Sequence, residues 1–127
     1  MKIRLLFPNL IILGLGLSPV QGQDDLLQKG KGIFAENCAD CHRLNGRGLP
    51  GTFPAHDGNP FVVGPPEPII ATVLNGRHGN LGQMPAWKDK LNDSQIAAVV
   101  SYIRHAWNNQ APGVTPALVA EMRQKAK

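Results

Sequence analysis

Apolar positions are spaced in three different ways along this chain. Leu5–Leu17 is a nearly continuous apolar run of 13 residues, broken only by Pro8 and Asn9. Lys2 and Arg4 precede it, and Ser-Pro-Val-Gln-Gly follows at 18–22. A basic start, an apolar middle and small residues at the end make a secretory signal peptide, with the cut expected between Gly22 and Gln23. An uncleaved anchor is the alternative, but a bilayer needs about 20 apolar residues. No later segment is apolar for long enough to span, so no stable membrane insertion is expected after cleavage.

The second pattern has helical spacing. Asp24–Asn37 opens on acidic residues and carries Leu26, Leu27, Ile33 and Phe34 at mixed helical intervals. Gly30 and Phe34 are four apart and share a face, where the missing side chain would admit a second helix closely. A short helix is expected over Pro68–Asn75, with Ile69, Ile70, Val73 and Leu74 apolar and Gly76 as its stop. The strongest pattern is Asp93–Asn108. Asn92 and Gln95 suit a capping box, and Ile96, Val99, Val100, Ile103 and Trp107 form one stripe. Thr115-Pro116 predicts the cap and first turn of a last helix reaching about Lys125.

The third pattern is the lack of one. Residues 45–68 hold five glycines and six prolines in 24 positions, a density that no regular element is expected to survive. So long a loop in a small domain is usually functional, here as an envelope around something. A second glycine-bearing loop covers Gly76–Pro85. No repeats and no paired strands are expected. The domain reading is a signal at 1–22 and one domain at 23–127, its core at about 24–108 with a helical extension at about 115–125.

Composition narrows this picture. Losing 22 residues leaves 105, enough for one small domain. With Lys2 and Arg4 gone from thirteen basic residues, against nine acidic ones, the net charge falls from +4 to +2. There is no Lys/Arg block and few aromatics, so no nucleic-acid partner is expected. A few short helices around long loops make a thin core, and small domains of that kind often need a staple.

The two cysteines supply one. Cys38-Ala39-Asp40-Cys41-His42 is the C-x-x-C-H pattern of covalent haem attachment. Two thiols on one helical turn reach two vinyl groups on one haem edge, and the next residue turns its imidazole to the iron. Cys38 and Cys41 are therefore assigned the thioethers of one haem c, and His42 the proximal axial bond. A disulfide between them would close almost no loop and stabilise little. A thioredoxin-like pair wants a βαβ setting, and a zinc site wants more ligands.

Iron needs a sixth ligand. Met84, in Gly82-Gln83-Met84-Pro85, is preferred: a soft thioether favours ferrous iron, and Pro85 stiffens the loop. Met122 is expected to pack as an apolar residue. His56, in the envelope loop, is the rival ligand, while His78 is expected to be a solvated residue or a propionate neighbour and His105 to be exposed. The carbonyl of Pro54 can accept the second N–H of His42. Arg47, Arg77, Trp87 and Lys88 are candidates to neutralise or pack against the propionates.

Together these pieces resemble the class I cytochromes c over essentially the whole mature chain: Gly30-x-x-x-Phe34, the attachment motif, a proline-bearing loop, Met84-Pro85, and a last helix with Val99 and Tyr102. The resemblance implies an all-α cytochrome c fold of three to five short helices, in which the first and last helices cross with Gly30 and Phe34 against Val99 and Tyr102. The stretches at 48–54, 57–60 and 107–115 are similar to cytochrome domains serving bacterial membrane dehydrogenases, especially the cytochrome subunit of quinoprotein alcohol dehydrogenase. Those relatives carry three haems where this chain has one motif, which implies a stand-alone version. They also usually have an apolar residue where this chain has His56.

Three functions follow as expectations. The first is periplasmic one-electron transfer between a donor dehydrogenase and an acceptor such as a terminal oxidase or reductase, without catalysis of its own. Redox partner proteins would then dock at the exposed haem edge. The second is a dedicated subunit of a dehydrogenase complex. The third is a haem peroxidase or gas sensor with an open distal site.

Overall fold

A computed structural model describes residues 21–126. The signal-peptide expectation falls almost wholly on residues 1–20, outside the described part. Six helices and one small ribbon follow in order: α1 (Gln21–Asn37), α2 (Ala39–His42), α3 (Pro60–Val63), α4 (Pro66–Asn75), β1 (Arg77–His78), β2 (Gln83–Met84), α5 (Asp93–His105) and α6 (Pro116–Lys125). No described helix is long and apolar enough to cross a membrane.

The helix pair α1–α5 is the frame. The stripe expected on α5 is buried at Ile96, Val99, Val100 and Ile103, and α1 buries Ile33 and Phe34 against the same core. Full burial of a side chain the size of Phe34 contributes about 1.5–3 kcal/mol. Gly30 is the point of closest approach: a Cβ there would lie 2.1 Å from the Ala98 carbonyl oxygen and 2.7 Å from the Tyr102 Cβ. The ring of Phe34 lies 5.6 Å from that of Tyr102. The crossing implied by the family resemblance is therefore present, with Ala98 and Tyr102 as the residues above Gly30.

Capping sets the start of α5. The Asn92 side chain accepts from the Gln95 amide at 2.9 Å, and the Gln95 side chain accepts from the Asn92 amide at 2.9 Å, a full capping box. The helix ends earlier than the stripe suggested. Ala106 is already extended, and Trp107 has φ +58. Trp107 thus lies outside the helix, its indole N–H donating to the Leu44 carbonyl at 3.0 Å. The last helix, α6, begins at the expected cap, with the Thr115 hydroxyl accepting from the Leu118 amide. It buries Val119 and packs Leu118 and Met122 on the core.

Four other expectations need correction. The segment 45–68 does hold regular structure, because Asn59 accepts from the Phe61 amide and Pro60 preorganises the first turn of α3. The short helix expected from Pro68 starts two residues sooner, at Pro66. Gly76–Pro85 is not all loop but an antiparallel ribbon pairing Arg77 with Met84 and His78 with Gln83. Two-residue strands are too short to show alternation in a sequence. The helix α1 also begins at Gln21, ahead of the expected Asp24, within the usual latitude of a helix end.

Gly30→Ala is expected to cost about 1–3 kcal/mol by overpacking backbone, lowering the thermal midpoint by several degrees. Gly32→Ala, on the same helix with nothing within 4 Å of its Cβ, is expected to hold or raise it. Thermal unfolding of the two variants checks the pair.

Candidate functional site

The two cysteines and His42 occupy the turn after α1. The Cys38 amide donates to the Phe34 carbonyl and the His42 amide to the Cys38 carbonyl, each at 2.9 Å, so α2 continues the helical path of α1. Arg43 then takes φ +63 and turns the chain away. A non-glycine residue held there costs on the order of 1–3 kcal/mol. The sharp turn sends residues 44–59 back across His42.

That return supplies the imidazole's partner. The His42 Nδ1–H donates to the Pro54 carbonyl at 3.0 Å, as expected. This fixes the tautomer and leaves Nε2 as the nitrogen with a free lone pair. His42 is buried, and burial lowers its pKa, with the Pro54 bond opposing the shift.

A cavity of ≈ 480 Å³ opens beside this turn. Cys38, Cys41, His42 and Met84 all border it. Phe34, Val99 and Ile103 of the α1–α5 frame line it, with Ile69 and Val73 of α4. The cysteines are not bonded to each other. Burial, then the neighbouring Cys41, pushes the Cys38 thiol up to about 11, the opposite of what a reactive redox thiol requires. No cluster of three or more His, Cys, Asp or Glu able to hold a metal ion occurs among the described residues.

Met84 is carried to the cavity by the ribbon. Gly76 ends α4 at φ +73, and a Cβ there would come within 2.4 Å of the Met84 carbonyl oxygen. Beyond Pro85, the Trp87 amide donates to the Val73 carbonyl at 3.0 Å and ties the segment back to α4. Of the residues assigned from sequence, Pro54, Trp87, Arg77, His56 and His78 also border the cavity. Arg47, Lys88, His105 and Met122 do not. The Arg77 guanidinium lies 5.6 Å over the Phe61 ring, and the Lys90 ammonium 5.3 Å over that of Trp87.

His56 lies on the His42 side, its ring stacked on His42 with centroids 4.0 Å apart and planes 22° from parallel. Burial, followed by the nearby His42, lowers its pKa to about 3, so the ring is neutral. Its Nδ1 is buried and without a hydrogen-bond partner.

Sequence reasoning missed the residues that brace the envelope. Asn109, 3% exposed, donates through Nδ2 to the His56 carbonyl at 3.0 Å and to the Ile103 carbonyl at 2.7 Å, while its Oδ1 accepts from the Gly58 amide at 2.9 Å. Asn108 binds the Asp57 carboxylate. Arg104, 4% exposed, donates to the carbonyls of Val62, Gly64 and Pro112. The available signal was that the stretches at 57–60 and 107–115 both carried the family likeness; in the fold they meet.

The class that such a fold and such a group of side chains define is the c-type cytochrome, an electron-transfer protein with covalently bound haem c. The chain belongs to the cytochrome c family: residues 25–103 match the family described as cytochrome C oxidase, cbb3-type, subunit III. It is 33% identical over 115 residues to the cytochrome c subunit of the quinone alcohol dehydrogenase of Gluconobacter oxydans, covering 76% of this chain and 24% of that protein. To the gluconate 2-dehydrogenase cytochrome c subunit of Pantoea cypripedii it is 36% identical over 109 residues, with coverage of 76% and 24%. The chain thus spans about a quarter of the length of those dehydrogenase subunits. Cytochrome c-552 of Thermus thermophilus is 30% identical over 135 residues, covering 95% of this chain and 84% of that one. The c-type cytochrome XoxG of Methylobacterium extorquens AM1 shares the fold, with a TM-score of 0.54 at 20% identity over 80% of this chain and 67% of that one. The relatives are electron carriers or cytochrome subunits rather than catalysts in themselves.

Asn109→Ala is expected to cost about 2–3 kcal/mol, since it strands the buried Ile103 carbonyl and the half-buried His56 carbonyl and Gly58 amide. Denaturant unfolding should show it as a lowered midpoint, and the envelope amides near Gly58 should lose hydrogen-exchange protection.

Proposed function

We propose that the chain is an exported carrier that passes single electrons from a dehydrogenase to an oxidase or reductase through one haem c. Cys38 and Cys41 would hold the haem by thioethers, and His42 and Met84 would take the two axial positions of its iron. The observation that carries this is the gathering of both thiols, an imidazole with a free Nε2 and a thioether around one apolar-walled cavity. That donor set fits a covalently bound haem and suits no disulfide or zinc chemistry. Bound there, the haem supplies a reversible one-electron couple at iron.

The chain's own residues do the rest. Pro54 holds the His42 ring through Nδ1, and Pro85 with Gly76 fixes the segment that presents Met84. Phe34, Val99, Ile69 and Ile103 keep water from the cavity, which raises the cost of ferric charge and with it the potential. With His42 and Met84 both holding the iron, no coordination site would be left for a substrate. Partners would dock where Cys41 is exposed, with Phe61 and Leu81 as apolar surface, 40% and 69% exposed. Such redox contacts are small and transient, and a mature charge of +2 steers them little.

A dedicated dehydrogenase subunit is the second reading, favoured by the identity to the two dehydrogenase cytochrome subunits. Stable co-purification with one dehydrogenase would support it over a free carrier.

In Met84→Ala the weak near-infrared band of ferric methionine–haem ligation is expected to disappear, the midpoint potential to fall and the reduced protein to bind carbon monoxide rapidly. A band that survives the change overturns the axial assignment. Mass spectrometry of periplasmic protein is expected to find a chain beginning at Gln23 with one haem attached; a retained N-terminus or absent haem contradicts the proposal.

A further inference from the structure

His56 is held in place by its backbone while its side chain is left unpaired. Its amide donates to the Gly46 carbonyl at 2.7 Å, and its carbonyl accepts from Asn109 at 3.0 Å. Both anchors are rigid, since Asn109 is buried and bonded on three sides. The ring is thereby pressed flat on His42 at 4.0 Å, with Phe34 at its edge 5.9 Å away and Trp107 at 6.4 Å. An apolar side chain would fill this aromatic pocket without leaving a nitrogen unpaired. Instead the site holds a neutral, dipolar ring against the face of the imidazole, and its Nδ1 is the one buried side-chain polar atom without a partner among the described residues.

Pure packing gives no reason for that choice. Leaving a buried polar atom unsatisfied costs about 1–3 kcal/mol. Groups adjoining a metal ligand do have another effect: they set the ligand's orientation and the local polarity, and so the redox potential. We propose that His56 is a positioning residue that sets the potential of the haem through His42: its ring fixes the plane of the axial imidazole, and its polarity, compared with an apolar residue, lowers the potential by stabilising the more highly charged ferric state. This rests on the function proposed above, with His42 as an iron ligand. The Pro54 bond pins the edge of His42 and His56 pins its face, so the two contacts together leave the ring one orientation.

Three variants separate polarity from packing. His56→Phe keeps a flat ring and loses the nitrogens, His56→Leu loses both, and His56→Gln keeps a planar polar group. Redox titration of the haem-loaded proteins is expected to place the Phe and Leu variants at more positive midpoints, with several-fold more ferrous protein at a fixed ambient potential, and the Gln variant near the parent. Electron paramagnetic resonance of the ferric forms, which reads the axial imidazole plane, is expected to change in Leu and stay close to the parent in Phe. Thermal stability should hold or rise in Phe, so a merely structural role would leave the midpoint where it was. An unchanged or lowered midpoint in the Phe variant overturns the inference, as does a Gln variant that moves as far as Phe. If Leu fails to take haem, Phe and Gln decide the matter. If the parent itself takes none, the proposed function fails instead.

Discussion

Where α1 crosses α5, a glycine lies directly beneath a carbonyl, and the rest of the molecule is arranged around that contact. Gly30 lets the two helices approach until backbone faces backbone. The attachment turn follows α1 without a break, so the depth of the crossing sets how far Cys38 and His42 stand from the wall made by Val99 and Ile103. A helix pair held further apart would widen the cavity and take Phe34 off both Tyr102 and Trp107. Packing, cavity width and the seat of the thiols are thus one constraint.

The envelope depends on a second, more distributed set of bonds. It has little apolar surface to bury, so its backbone is tied down by polar side chains from the end of α5 and the residues just beyond. Arg104 gathers three carbonyls, Asn109 two carbonyls and an amide, and Trp107 reaches Leu44. The early stop of α5 makes this possible. A helix continued through Trp107 and Asn109 would spend their backbone on its own ladder and point the side chains elsewhere.

Much of this was legible from the residues. The stripe on α5 as far as Ile103, the Asn92–Gln95 box, the Thr115 cap and the stop at Gly76 are local rules, and each stands where its rule placed it. The cavity residues at 38, 41, 42, 54 and 84 came from spacing and ligand chemistry together with loop position. What was not legible is non-local or very short. A two-residue ribbon has no period to detect, and α3 is one turn inside a run of prolines. Trp107 fitted the stripe by spacing, yet its tie to Leu44 and its positive φ belong to tertiary structure. Bonds of Arg104 and Asn109 reach backbone forty or more residues away along the chain, which no window of sequence displays. His56 was noticed as polar where its relatives are apolar; that its ring lies flat on His42 needed coordinates.

The two walls of the cavity also differ in how firmly they are built. The imidazole side is braced by buried Asn109, the Pro54 carbonyl and a stacked ring, whereas the thioether side hangs on a ribbon of two residue pairs whose connecting residues 79–82 are all exposed. Mechanical slack therefore collects at the sulfur. Under heat or denaturant that side would let go first, and recovery would need only the return of a short tongue rather than refolding of the whole chain.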